Sequence, residues 1–344
     1  MQAEDTKQTR RIQISGGSTY TISLPKKWID GLGIKNGDNL TIIRNANKSM
    51  TLFPGIDTER PAKKAILTIG QKDPAESIRR KIIALYLNGY KTIQVASKGV
   101  KILPEHSRLV KDLVRRTMIG TEIVESDSES ITIQILTRLP ELTFDVALKR
   151  MHLMASNMHR EAIEALSKHD SEYGEEVARM DDEVDRFGLY MMRTLIMAIQ
   201  NASMLYDMGL EQPSDCLNYR TVISRIERIA DHAALIAKRI KFLKDPLDSR
   251  ILKEIETLSN EAITCFDNSI LSLTKRDHIL AEKTAANIAK IVEEEKELMY
   301  GLKESKNLTI VKFVLEDIRR VAEYSSDIVE VVINETIKNI ISEK

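Results

Sequence analysis

Cysteine is nearly absent: Cys216 and Cys265 are the two in a chain of 344 residues. Two are too few for a disulfide framework and too sparse for a zinc site, which fits a reducing compartment and leaves both as expected core fillers. Aromatic residues are scarce at 5%, with one tryptophan, and glycine and proline number 14 and 8. Sandwiches and barrels lean on aromatic and β-branched strands with frequent turns, so abundant Leu, Ile, Ala and Met point to helical bundles for most of the chain. Long apolar runs are also missing. The longest uncharged apolar-rich stretch, Thr194 to Tyr206, is too short to span a bilayer, and the first residues lack the apolar segment of a secretory leader. A soluble, cytoplasmic protein without membrane insertion is expected. With 42% hydrophobic residues over this length, two or three domains with real cores are expected and overall disorder is excluded. Net charge is absent too, 51 Lys+Arg against 51 Asp+Glu, and by itself names no partner.

That zero is a cancellation. Residues 1–140 hold 23 basic and 14 acidic side chains, net +9, and residues 141–344 hold 28 and 37, net −9. A basic head gains from counterion release on a polyanion, whereas an acidic body is repelled by one and suits cations. The texture of the sequence changes at the same place. Residues 10–53 read as short β segments, Ile12–Ile14, Thr19–Leu24 and Leu40–Ile43, punctuated by Gly16-Gly17 and Asn36-Gly37-Asp38, with one short helix between Pro25 and Gly33. So small a unit buries little alone, so a homo-oligomer, at least a dimer, is expected, with Trp28 filling its core.

Residues 62–137 predict a small α/β layer. Strands at Ala65–Ile69 and Thr92–Val95 flank a helix from Pro74 to Asn88; a helix from Pro104 to Thr117 then leads to a hairpin of Glu122–Val124 and Ile131–Ile135. With no Gly-rich phosphate loop or nucleophile elbow there, a spacer or ligand-sensing role outranks catalysis. From Phe144 onward the period is helical, broken near His169-Asp170, Gln212-Pro213, Asp245-Pro246, Arg276-Asp277 and Lys306-Asn307. These breaks predict six helices in two sets of three, 144–244 and 248–342. Ile226–His232 aligns with Ile318–Tyr324 at an offset of 92 residues, the mark of an internal duplication. The expected fold is multi-domain and mainly α: a β module in 1–55, an α/β layer in 62–137 and two tandem three-helix bundles.

Two acidic pairs carry the chemistry. Val177, Met180, Val184, Gly188, Met191 and Leu195 trace one inward stripe, with Asp181 and Asp185 inside it. Ile223, Ile226, Ala230, Ala233 and Ala237 trace another, with Glu227 and Asp231 inside it. Residues four apart on a helix share a face about 6 Å apart, so four carboxylates from two helices make a cage for divalent or trivalent cations such as Mg, Mn, Fe or Zn. Left uncompensated they would cost several kcal/mol or stay protonated. The competing reading is a solvated face with salt bridges to Arg186 and Arg228. His232, beside Asp231, is either a ligand or its hydrogen-bond donor, or a structural histidine. In the second set Arg319 stands in the register of Glu227, where a guanidinium neutralises acids such as Glu293 and Glu297. A shifted second site of Glu293, Glu297, Glu323 and Asp327 stays open. In the β module Lys7, Arg10, Arg11, Lys26 and Lys27 form a basic face suited to a DNA backbone or, alternatively, to solubility. A carboxylate di-metal enzyme is the rival function class, but the Glu-x-x-His pairs of di-iron oxidases are missing and the expectation is no enzyme.

The run Thr21–Asp38, through Pro25, Gly33, Gly37 and Asp38, resembles the SpoVT/AbrB family over about residues 9–54. That resemblance implies a swapped-hairpin dimeric β-barrel that binds DNA. The run Arg225–Ala233, with Asp181-Asp-Glu-Val-Asp185 upstream, resembles the PhoU family of phosphate-uptake regulators over roughly 144–340. It implies two three-helix bundles whose acid-x-x-x-Asp motifs hold metal clusters, here Asp181, Asp185, Glu227 and Asp231. Together the resemblances imply a regulator of phosphate uptake and homeostasis, in an arrangement similar to archaeal PhoU-like proteins. Transcription-regulating DNA contacts would sit at its head, and a phosphate-transporter ATPase or a sensor protein would be the partner of its bundles.

Overall fold

The computed structural model describes residues 7–44, 48–54, 63–136, 143–199, 201–210 and 212–341. The chain divides into two units, Met1–Pro61 and Ala62–Lys344.

In the first unit β1 (Gln13–Ser15) pairs antiparallel with β2 (Thr19–Thr21). The turn between them runs through Gly16 and Gly17 at φ 65° and 81°, a left-handed stretch that a side chain resists. Helix α1 (Lys26–Gly31) starts after Pro25, and β3 (Leu40–Arg44) pairs antiparallel with β4 (Met50–Pro54). The expected barrel is not closed: among the described residues the strands form two separate two-stranded sheets. Ile12, Ile14, Tyr20, Ile22, Ile42 and Leu52 are left exposed, as sheets this short cannot cover their own apolar side chains.

The second unit opens with a four-stranded sheet, order β5-β6-β8-β7, made of β5 (Lys64–Ile69), β6 (Thr92–Ser97), β7 (Thr121–Ser126) and β8 (Ser130–Ile135). β5 and β6 run parallel, joined by α2 (Ala75–Leu87), and the other pairings are antiparallel. One face is covered: Ile69, Ile93, Val95, Ile131 and Ile133 pack with Ile78, Ile82 and Tyr86 of α2 and Val110 of α3 (Pro104–Asp112). The β7–β8 turn is pinned by the Asp127 carboxylate, which accepts from the amides of Glu129 and Ser130 at 2.7 Å each. The helix expected to reach Thr117 changes character at Leu113 and finishes as a π-helical turn, Leu113–Thr117.

Two helical bundles follow. The first comprises α4 (Phe144–Ser167), α5 (Ser171–Arg179), α6 (Asp181–Ile199), the short α7 (Ala202–Asp207) and α8 (Asp215–Arg239). The second comprises α9 (Ser249–Lys275), α10 (His278–Gly301) and α11 (Leu308–Thr336). One apolar core runs through both. The duplication is visible in matching turns: His169 and Arg276 both adopt the left-handed conformation, φ 54° and 51°. The following aspartates, Asp170 and Asp277, cap the next helix by accepting from the amides of Tyr173 and Leu280. An unexpected break at Met180 divides the second helix of the first bundle into α5 and α6.

The bundles meet along antiparallel α8 and α11, and the contacts repeat across a pseudo-two-fold axis. Arg225 of α8 lies over the Tyr324 ring and pairs with Asp327 at 2.5 Å. Under the 92-residue offset Arg225 corresponds to Asp317 and Tyr324 to His232, and Asp317 accepts from His232 Nδ1 at 2.8 Å and pairs with Arg239. On the α4–α9 side Asp267 accepts from Ser156 at 2.8 Å and from Arg160 at 2.6 Å, and stands 2.8 Å from His152 Nε2.

The α/β layer is anchored to α6 by Arg193. This side chain is only 4% exposed. Its guanidinium donates to the carbonyls of Tyr86 and Tyr90 and lies 4.7 Å from the Tyr86 ring centroid. Leu189 of α6 joins the core of the layer.

Candidate metal centre

The break at Met180 makes Asp181 the first residue of α6, followed by Asp182 and Glu183. Three acids in a first turn suit the partial positive charge of a helix N-terminus. Asp185 lies one turn on. Across the groove α8 brings Glu227 and Asp231.

These four carboxylates are electrostatic neighbours. Burial pushes Glu227 up to about 7, and the charges of Asp185, Asp231 and Asp181 push the same way against Arg228. Burial also raises Asp181 to about 6, reinforced by Asp185 and Asp231 and opposed by Lys238. Asp185 is raised by burial and then by Asp231. The set is graded in depth: Glu227, Asp181 and Asp231 are half-buried, whereas Asp185 is the most open of the four although its carboxyl is still partly desolvated, so the inward-facing stripe expected for both pairs is a groove open on one side. Asp181 Oδ1 is enclosed and has no hydrogen-bond partner among the described residues. Gly188, one turn after Asp185, gives Glu227 its room: a Cβ there would stand 1.9 Å from Glu227 Oε1.

Of the salt bridges expected on the two acidic pairs, Arg228 reaches Asp231 at 3.6 Å, whereas Arg186 pairs at 2.8 Å with Glu183, outside both pairs. Among the described residues no group of three or more His, Cys, Asp or Glu side chains is gathered tightly enough to hold an ion. His232 Nδ1 is hydrogen-bonded to Asp317 at 2.8 Å, and burial lowers its pKa, favouring the neutral ring.

Raised carboxyl pKa values carry a pH signature. A group whose folded pKa lies above its unfolded value contributes stability that is fully present below the unfolded pKa and is lost as pH rises through the folded one. For Glu227 that window runs from about 4.5 to about 7. In chelator, Glu227→Gln is expected to gain about 2–3 kcal/mol on the wild type between pH 5 and pH 8. Urea denaturation midpoints at the two pH values measure it, and parallel pH profiles would refute the strained carboxylate.

The second acidic set is dispersed. The inward stripe of α10 passes through Ile288, Ile291 and Glu295, so Glu293 and Glu297, each two residues from Glu295 on a helix, fall on the opposite, exposed face. Glu293 pairs with Lys296 at 2.9 Å, Glu297 lines a groove between α9 and α10, and Asp327 holds Arg225. Arg319 does neutralise acids, but they are Glu295, at 3.5 Å and 3% exposed, and Glu323. In the first unit Lys7, Arg10, Arg11, Lys26 and Lys27 are all exposed. Arg10 donates to Gln8 at 2.7 Å. Trp28 is half-buried with its indole N–H enclosed. The residue that sequence reasoning passed over is Arg193; its one signal is a charge set inside the apolar run of α6.

Residues 148–240 match the PhoU domain, and all four carboxylates lie inside that span. Residues 13–65 match the domain described as antidote-toxin recognition MazE, bacterial antitoxin. A curated relative from Clostridium acetobutylicum, named phosphate-specific transport system accessory protein PhoU homolog, is 27% identical over 162 residues, 45% of this chain and 64% of its own length. A relative of the same name from Burkholderia sp is 27% identical over 173 residues, 49% of this chain and 68% of its own length. The chain thus spans about two thirds of the curated relatives it matches. The two family-matched spans overlap the two resemblances read from the sequence.

Proposed function

We propose that the chain is a non-enzymatic accessory regulator of phosphate transport, whose first bundle holds a metal cluster and whose amino-terminal module dimerises and contacts DNA. The observation that carries this reading is the electrostatic coupling of Asp181, Asp185, Glu227 and Asp231 within the PhoU-matched residues; the four are near enough to raise one another's pKa, and the side chains would have to draw closer to hold an ion. An enclosed carboxylate oxygen without a donor, beside carboxyls pushed upward by one another, suits a hard cation that replaces the missing positive charge. Mg, Mn, Fe and Zn all fit carboxylate donors. No helix among the described residues is long and apolar enough to cross a membrane, and the reading is of a cytoplasmic protein that meets the transporter's ATPase or a sensor protein.

Elemental analysis of the full chain tests the metal. The wild type is expected to retain metal through dialysis and the Asp181→Ala, Glu227→Ala double variant to lose most of it; equal content in both defeats the assignment. For the head, removal of residues 1–55 is expected to abolish DNA retention in a mobility-shift assay. Retention that persists unchanged after the truncation removes DNA binding from this module.

A further inference from the structure

The seam between the α/β layer and the first bundle holds an open cavity of about 430 Å³. Val114 and Arg115 reach it from the π-helical turn, Met118 from the position that ends that turn, Thr121 and Glu122 from the start of β7, and Arg186 from α6. A π-turn inserts an extra residue into the helical ladder and re-aims the side chains around it, which is why such turns recur at functional sites. Here the Met118 amide reaches back to the Leu113 carbonyl at 3.0 Å, and the turn leaves Val114 and Met118 buried while Arg115 is exposed.

The polar groups are unbalanced in one direction. Arg115 has no ion pair among the described residues. Arg186 gives one Nη to Glu183 at 2.8 Å, but its Nε is enclosed without an acceptor. Two guanidinium groups from different elements, one with an enclosed unmatched donor, over an apolar floor, are the chemistry of an anion site. The volume fits a small organic molecule better than a bare ion. Glu122, an acceptor on the same lining, suits a ligand hydroxyl or amine and repels a purely anionic one.

We propose that this cavity binds a small organic dianion, a phosphomonoester or a polycarboxylate, whose charged end meets Arg115 and Arg186 and whose hydroxyl or amine meets Glu122. An occupant would tie the α/β layer to the helix that carries Asp181 and Asp185.

Calorimetric titration of the full chain with AMP, with citrate and with inorganic phosphate tests the site. Chelator in the buffer separates this result from the fate of the metal reading. AMP or citrate is expected to bind saturably, one per chain, and inorganic phosphate at least about tenfold more weakly. Arg115→Gln, an exposed position whose circular dichroism should match the wild type, is expected to weaken the organic ligand about tenfold, the worth of a charge-assisted pair. Arg116→Gln, the next residue and outside the cavity lining, should bind as the wild type does. Absence of saturable binding by both AMP and citrate, equal binding of inorganic phosphate, or equal losses at Arg115 and Arg116 would each overturn the proposal.

Discussion

Replacing Asp317 with alanine is expected to lower the unfolding free energy by about 3–5 kcal/mol, the usual cost of stripping one partner from a buried ion pair. Asp317 is 3% exposed at the centre of the α8–α11 contact. It accepts from His232 Nδ1 and faces the Arg239 guanidinium, which also lies over the Phe313 ring at 5.1 Å. Without the carboxylate, Arg239 keeps its charge in a low-dielectric wall and the His232 N–H loses its acceptor. The same helix pair supplies an internal comparison. Asp327 likewise joins an α11 carboxylate to an α8 arginine, Arg225, but its side chain is 36% exposed. Asp327→Ala is therefore expected to cost less than about 1 kcal/mol. Urea denaturation of both variants measures the contrast; equal costs would mean that burial is not what gives Asp317 its weight.

The second large effect is expected at Arg193. Truncation to alanine removes a buried side chain and leaves the Tyr86 and Tyr90 carbonyls without their donor, which together should cost about 3–4 kcal/mol. Lysine keeps the charge but not the fork that reaches two carbonyls, so Arg193→Lys should restore only part of the loss. The damage should be local. Amide hydrogen exchange at the end of α2 is expected to accelerate while the protected centre of α8 stays slow, and uniform acceleration would show that Arg193 braces the whole unit instead of the seam.

Most of this architecture is legible in the residues because its signals are local. Lys168-His169-Asp170 and Lys275-Arg276-Asp277 announce helix ends by turn chemistry, and the alternation in Ile131–Ile135 announces a strand. The four carboxylates are legible because the spacing of Asp181 to Asp185 and of Glu227 to Asp231 fixes a face. The break at Met180 is not legible, since neither glycine nor proline marks it and Met180 suits either a helix interior or a bend. Nor is the exposure of Asp185: spacing gives a direction around a helix axis, whereas the open side of a groove depends on how far the neighbouring helix lies away. Partners distant in sequence stay hidden for the same reason. Nothing near His232 points to Asp317, and nothing near Arg193 points to the carbonyl of Tyr86. The dispersal of Glu293 and Glu297 follows from a stripe carried by Glu295, two residues from each, a polar residue that a pattern of apolar positions skips.

The α8–α11 contact also fixes an order of events in time. The contacts of α4, α5 and α6 with α8 close between residues 143 and 242, whereas His232 meets a partner 85 residues further along the chain. A chain emerging from the ribosome amino-terminus first therefore completes its first bundle while α11 is still unmade. The outer face of α8 is the last to be covered. During that interval Arg225, His232 and Arg239 give the waiting face hydrated groups on either side of Ile229, in place of an unbroken oily stripe open to a neighbouring nascent chain.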